Sequence, residues 1–168
     1  MSAAARHYRR VIDSPAGPLT IGVRDDTLTH VLFGERELPN ACDRSTPVLA
    51  QAIRQIGEYF RDGRRTFDLP IDPRGTPFQS KIFGALRSVP FGITVTYGQL
   101  AARISSPRAS QAAGQAVGAN PIGIVIPCHR VIPATGLIGG FAGGKAAKKA
   151  LLEVEGFVID SNGLVLRA

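Results

Sequence analysis

Three short runs near the start of the chain alternate apolar and polar residues. HYRRVID (7–13), PLTIGVRD (18–25) and TLTHVLFG (27–34) carry the period of two of a half-buried strand. SPAG and DD lie between them, and connections this short predict an antiparallel meander. Residues 36–46 show no period and read as a loop. From Pro47 to Asp62 the period becomes helical, with Leu49, Ile53, Ile56 and Phe60 on one face and Gly63 as the stop. FDLPID (67–72) is a further strand candidate, confined to an edge by Pro70.

The composition shifts at DPRGTP (72–77). This predicts two units: residues 1–75, a three-stranded sheet with one helix, and residues 76–168, mainly helical. The fold class is therefore α+β. In the second unit PFQSKIFGALRSV reads as a helix with Phe78, Ile82, Phe83 and Leu86 inward, broken by PFG (90–92). YGQLAARI, SSPR and ASQAAGQAVGAN follow as helix, tight turn and helix, the order of a helix-turn-helix. The second of these helices is nearly all Ala and Gly. Small side chains there permit either tight helix packing or close backbone approach to a ligand. IGIVIP (122–127) is continuously apolar and must be buried. TGLIGGFAGG (135–144) is Gly-rich but lacks the strand, GxGxxG, helix order of a nucleotide cradle. KAAKKALLEVEG is a helix stopped by Gly156, and the chain closes as a hairpin around Asn162-Gly163.

Composition narrows the function classes. Apolar residues make up 44% and mean hydropathy is +0.07, enough for a sizeable core. No apolar run approaches the roughly 18 residues of a membrane span. MSAAARHYRR has no apolar stretch to serve as a secretory signal, so Cys42 and Cys128 are expected to be free thiols in the cytoplasm. The net charge of +7 is unevenly placed: +1 in residues 1–75 and +6 in residues 76–168. No acidic residue occurs from Pro73 to Leu152. A surface without carboxylates suits a polyanion, since each neutralised phosphate releases condensed counterions.

Candidate chemistry centres on PCHRV (127–131). A free thiol is mostly protonated at neutral pH and needs a base to become a nucleophile. His129 follows Cys128 directly. In a regular strand the two side chains would point to opposite faces, so they can cooperate only if the backbone turns, as Pro127 permits. The histidine would need a carboxylate partner, and Glu153, Glu155 and Asp160 are the acids nearby in the chain. Cys42, Cys128, His7, His30 and His129 lack the paired spacing of a metal site, so no metal is expected.

PCHRV, preceded by ANPIGIVI and followed by a Gly-rich loop and LLEVEG, resembles the O6-alkylguanine-DNA alkyltransferases. GTPFQ, VPFGITVTYGQLA and the Ala/Gly helix extend the likeness over about residues 75–156. The resemblance implies a ribonuclease-H-like N-terminal domain and a C-terminal domain whose helix-turn-helix enters the minor groove of double-stranded DNA. A monomer is expected, and the transfer chemistry requires no cofactor. The damaged guanine would be flipped into a pocket, because its reactive atom is out of reach inside the stack. Cys128 would accept the alkyl group once and irreversibly. His129 would take its proton through a water, with Glu155 orienting the imidazole. Asn120 would brace the cysteine loop, and Tyr97 would help rotate the nucleotide and protonate guanine N3. Val131, Phe141, Gly139 and Ala142 would line the pocket. Thr96, Arg108, Gln111, Ala112 and Gly114 would meet the DNA.

Three positions depart from the family pattern. Gln111 stands where an arginine usually fills the gap left by the flipped base; glutamine is shorter and uncharged. Phe141 replaces a common tyrosine, and Phe83 a frequent tryptophan. Two other functions compete: a lesion-binding protein that does not repair, and a cysteine hydrolase using Cys128 and His129. The first loses the acceptor cysteine, which this chain keeps. The second leaves the carboxylate-free stretch unexplained.

Overall fold

The computed structural model describes residues 6–168; MSAAA, part of the stretch read as lacking a secretory signal, lies outside the described residues. Strands β1 (His7–Ile12), β2 (Leu19–Arg24) and β3 (Thr27–Phe33) form the expected meander. The sheet has a fourth member. β4 (Ala41–Cys42), inside the segment read as a loop, pairs parallel with β1, giving the order β3-β2-β1-β4. Two residues are too short to show a period, so the expectation of three strands is corrected to four. FDLPID is corrected in the other direction. Only Ile71 bridges, to Leu28, through Leu28 N–H to Pro70 O (2.9 Å) and Asp72 N–H to Leu28 O (2.9 Å).

Helix α1 (Pro47–Asp62) covers the sheet. Thr46 Oγ1 accepts from Leu49 N at its start, and Gly63 ends it at φ +65°, a left-handed turn that costs glycine nothing. Its buried face is Leu49, Ala52, Gln55, Ile56 and Tyr59, whereas Ile53 and Phe60 are half-buried. The apolar stripe is thus rotated from the expected one.

The helical part holds α2 (Pro77–Arg87), α3 (Tyr97–Arg103), α4 (Ser110–Gly118) and α5 (Lys145–Val154). Ile82, Phe83 and Leu86 of α2 are buried as expected, while Phe78 is half-buried. α3 starts on a reciprocal cap: Thr96 Oγ1 accepts from Gln99 N (3.1 Å) and Gln99 Oε1 from Thr96 N (2.9 Å). α3 and α4 form the helix-turn-helix. β5 (Val95–Thr96) and β6 (Val131–Ile132) pair in parallel and tie the entry of α3 to the exit of the cysteine turn. β7 (Phe157–Ile159) and β8 (Val165–Arg167) form the closing hairpin, with Gly163 left-handed at φ +84°. No helix of the described residues is long and apolar enough to cross a membrane.

Sheet and helices share one core, with Leu19, Ile21, Leu49, Ile82 and Ile122 all fully buried. The sheet also reaches the cysteine segment directly. Val31 N–H donates to Pro121 O (2.9 Å) and Gly123 N–H to Val31 O (3.0 Å), a bridge between β3 and residues 121–123.

Candidate active site

IGIVIP is buried except for half-buried Val125, and it is not a strand. Val125 N–H donates to Gly123 O (2.8 Å), a three-residue turn that holds Ile124 at φ +70°. A β-branched residue in the left-handed region costs about 1–3 kcal/mol, so the surrounding contacts must hold it there. Asn120 is the chief clamp: Nδ2 donates to Ile126 O (2.8 Å) and Oδ1 accepts from Ile122 N (3.0 Å). A second tight turn follows at Pro127, where Cys128 N–H donates to Ile126 O (2.8 Å). Cys128, His129 and Arg130 then make one turn of 3-10 helix. This is the backbone irregularity that neighbouring Cys and His side chains require to cooperate.

His129 is fully buried. Its Nε2 lies 2.6 Å from Glu155 Oε1, at the C-terminal cap of α5. An ionised carboxylate only accepts, so Nε2 carries the proton and Nδ1 keeps its lone pair. Nδ1 is buried and has no protein partner among the described residues, leaving it free to take a proton. Of the three acids considered in the sequence, the structure brings Glu155 to the histidine.

Among the described residues, Glu155 is the most heavily hydrogen-bonded side chain. Besides His129 it accepts from Arg130 Nε (2.9 Å to Oε2), Gly92 N (2.9 Å) and the Tyr59 hydroxyl (2.8 Å). Burial by itself would raise its pKa, but His129 and Arg130 hold it down at about 2. Burial drives His129 the other way, below its ordinary value, against the pull of Glu155. The imidazole is thus neutral at rest. The Cys128 thiol is pushed up by burial, opposed by Asn120 and by the Lys148 cation. A resting thiolate is therefore disfavoured, and the sulfur needs a base at the moment of reaction.

Lys148, on α5, is buried. Its Nζ donates to Val131 O (2.7 Å) and Gly140 O (3.3 Å), and burial pushes its pKa down to about 8. Tyr59, Arg130 and Lys148 were not singled out in the sequence. Lys148 could have been: Lys148, Leu151, Leu152 and Glu155 stand at helical spacing, on the stripe that must face inward. Tyr59 likewise stands one turn after Ile56.

Cys128 opens on a cavity of about 750 Å³, shared with Tyr97, Gly114, Asn120, Phe141 and Ala142. Tyr97 is half-buried at the start of α3, and its ring lies against Gly114 of α4, where a Cβ would touch Cδ1 at 3.5 Å. Two expected wall residues are elsewhere. Val131 is in the core, offering its carbonyl to Lys148. Gly139 is off the cavity, at φ +70° against Pro133, where a Cβ would come within 2.7 Å of Cδ. Gln111 and Ala112 are exposed at the start of α4. Thr96 spends its hydroxyl on the α3 cap. Arg108 is exposed in the turn before α4 rather than on the helix.

A sheet domain, a helix-turn-helix and a buried cysteine–histidine–glutamate cluster in one chain define a class of DNA-binding proteins that carry a reactive cysteine. Comparison with known proteins makes the assignment specific. Residues 7–73 match the ribonuclease-like domain of 6-O-methylguanine DNA methyltransferase, and residues 77–157 match its DNA-binding domain. The chain belongs to the 6-O-methylguanine DNA methyltransferase family. It is 42% identical over 152 residues to a methylated-DNA–protein-cysteine methyltransferase of Mycobacterium tuberculosis, covering 89% of this chain and 92% of that one. It is 37% identical to the constitutive protein of that name from Bacillus subtilis, over 87% of this chain and 93% of the relative. The crystal structure of the M. tuberculosis protein in complex with DNA superposes with a TM-score of 0.81 at 41% identity, covering 88% of this chain and 92% of that one.

Proposed function

We propose that this chain repairs O6-alkylguanine in double-stranded DNA by moving the alkyl group once, irreversibly, onto Cys128. The observation that carries this reading is the buried relay from Glu155 through His129, beside Cys128 at the wall of a cavity that α3 and α4 also line. Glu155 fixes the Nε2–H tautomer. His129 Nδ1, through a bridging water, receives the thiol proton. The sulfur attacks the alkyl carbon, a C–S bond forms, and the C–O6 bond breaks with its electron pair left on the guanine. A proton from the Tyr97 hydroxyl to N3 neutralises that charge, and the proton held by His129 restores the phenol. The product is a thioether with no carbonyl for water to attack, so the cysteine is not regenerated. Apart from the alkylated guanine and the bridging water, every group in these steps is a side chain of the protein.

The absence of acidic residues from Pro73 to Leu152 supports docking on DNA, with exposed Gln111 and Ala112 toward the minor groove. We place the protein in the cytoplasm, where Cys42 and Cys128 stay reduced.

Incubation with a duplex carrying a radiolabelled methyl on guanine O6 tests the reading. Stoichiometric label on the Cys128 peptide, lost in Cys128→Ala, is expected. Binding without label would mark a lesion sensor, and turnover of esters a hydrolase. Gln111→Arg is expected to speed transfer from duplex DNA severalfold while leaving single-stranded substrates little changed, because only a duplex leaves a gap to fill. Equal acceleration of both would remove this role from position 111.

A further inference from the structure

A strand of the N-terminal domain reaches the wall of the cavity on which Cys128 opens. His30 to Phe33 of β3 line the same cavity as Cys128, together with Gly140 to Ala142. Phe33 is the large apolar member. Its ring meets Phe141 edge-on, with centroids 4.9 Å apart at 65°. Two glycines make room for it. A Cβ on Gly123, in the segment leading to the cysteine, would come within 2.8 Å of Phe33 Cε2. One on Gly143, just after the pocket loop, would come within 2.5 Å of Phe33 Cγ. Neither position tolerates a side chain while the ring is in place. The β3 bridge at Val31 fixes the strand two residues earlier, so the ring is held on both sides. The cysteine segment, bare at Gly123, thus borrows its apolar surface from another domain.

Resting on the repair reading, we infer that Phe33 is a specificity-determining residue: with Phe141 it forms the apolar wall against which the O6 substituent packs. The cavity of about 750 Å³ receives the flipped guanine together with its O6 substituent, and Phe33 and Phe141 both line it. A methyl touches little of this wall, whereas a planar arylmethyl group can lie along it and gain both area and aromatic contact. The preference among alkyl groups is therefore set partly by the sheet domain.

Single-turnover transfer from duplexes carrying O6-methylguanine or O6-benzylguanine tests this. Phe33→Ala is expected to lower the benzyl-to-methyl rate ratio about tenfold, and Phe33→Leu, which keeps the volume without the ring, about threefold. A ratio that is unchanged or rises in both variants overturns the proposal. A ratio compares two substrates on one protein, so a general loss of fold does not move it. Calorimetric binding of free O6-benzylguanine base to Cys128→Ala protein reads the wall without any transfer. Tenfold weakening on adding Phe33→Ala is expected, and equal affinity overturns the wall even where the repair reading fails.

Discussion

Glu155→Gln is expected to destabilise the protein by about 3–5 kcal/mol, because it strands the charge of buried Arg130. An amide cannot repeat the carboxylate's contacts. His129 Nε2, the Tyr59 hydroxyl, Arg130 and Gly92 N–H all donate, and an NH2 group would face at least one of them donor to donor. For a chain of this size the loss corresponds to a fall in melting temperature of roughly 10 °C or more. The difference is pH-dependent. The folded carboxyl titrates at about 2, below its ordinary 4.5, so the unfolded chain binds more protons between those values. The stability contributed by Glu155 is complete above about 4.5 and is lost as pH falls toward 2. Melting curves of the two proteins should therefore converge below pH 4.5 and lie furthest apart near neutrality. Transfer should fall with stability, since the imidazole loses the acceptor that fixes its tautomer.

Lys148→Met is expected to reduce transfer at pH 7 by roughly tenfold or more, about 1.4 kcal/mol in the barrier. The variant removes the cation that favours the Cys128 thiolate and the two bonds that tie α5 to the carbonyls of Val131 and Gly140. Its signature is the shape of the pH profile. In the parent protein Lys148 loses its proton through about 8, so the support for the thiolate fades as hydroxide begins to generate it. The parent rate should level off above pH 8, whereas the variant starts lower and keeps climbing. Parallel profiles would reduce Lys148 to a packing role.

Much of this site was legible in the residues, for reasons that differ from one position to the next. The structure gathers Cys128, Asn120 and Tyr97 at one cavity and pairs His129 with Glu155, and these residues stand out in the sequence because PCHRV, LLEVEG, NP and VTYGQ are contiguous strings. The meander and α1 were readable because their periods are long enough to count. β4 was not, since two residues have no period. Val131 and Gly139 were misplaced because adjacency to a motif says nothing of which way a short strand or a left-handed glycine turns its neighbours. Tyr59 and Phe33 were missed for a different reason. Each acts on residues that lie 60 or more positions further along the chain, and no local pattern encodes such a meeting. A polar atom on an inward helical stripe was the one available sign for Tyr59, as it was for Lys148.

The Tyr59 hydroxyl reaches from the sheet domain's helix into the carboxylate of the cysteine's own relay. The amino-terminal half is therefore no passenger. Peeling it away would uncover the reactive neighbourhood to bulk water, so heat that melts the first domain will also disarm the sulfur, and the two losses will share one transition.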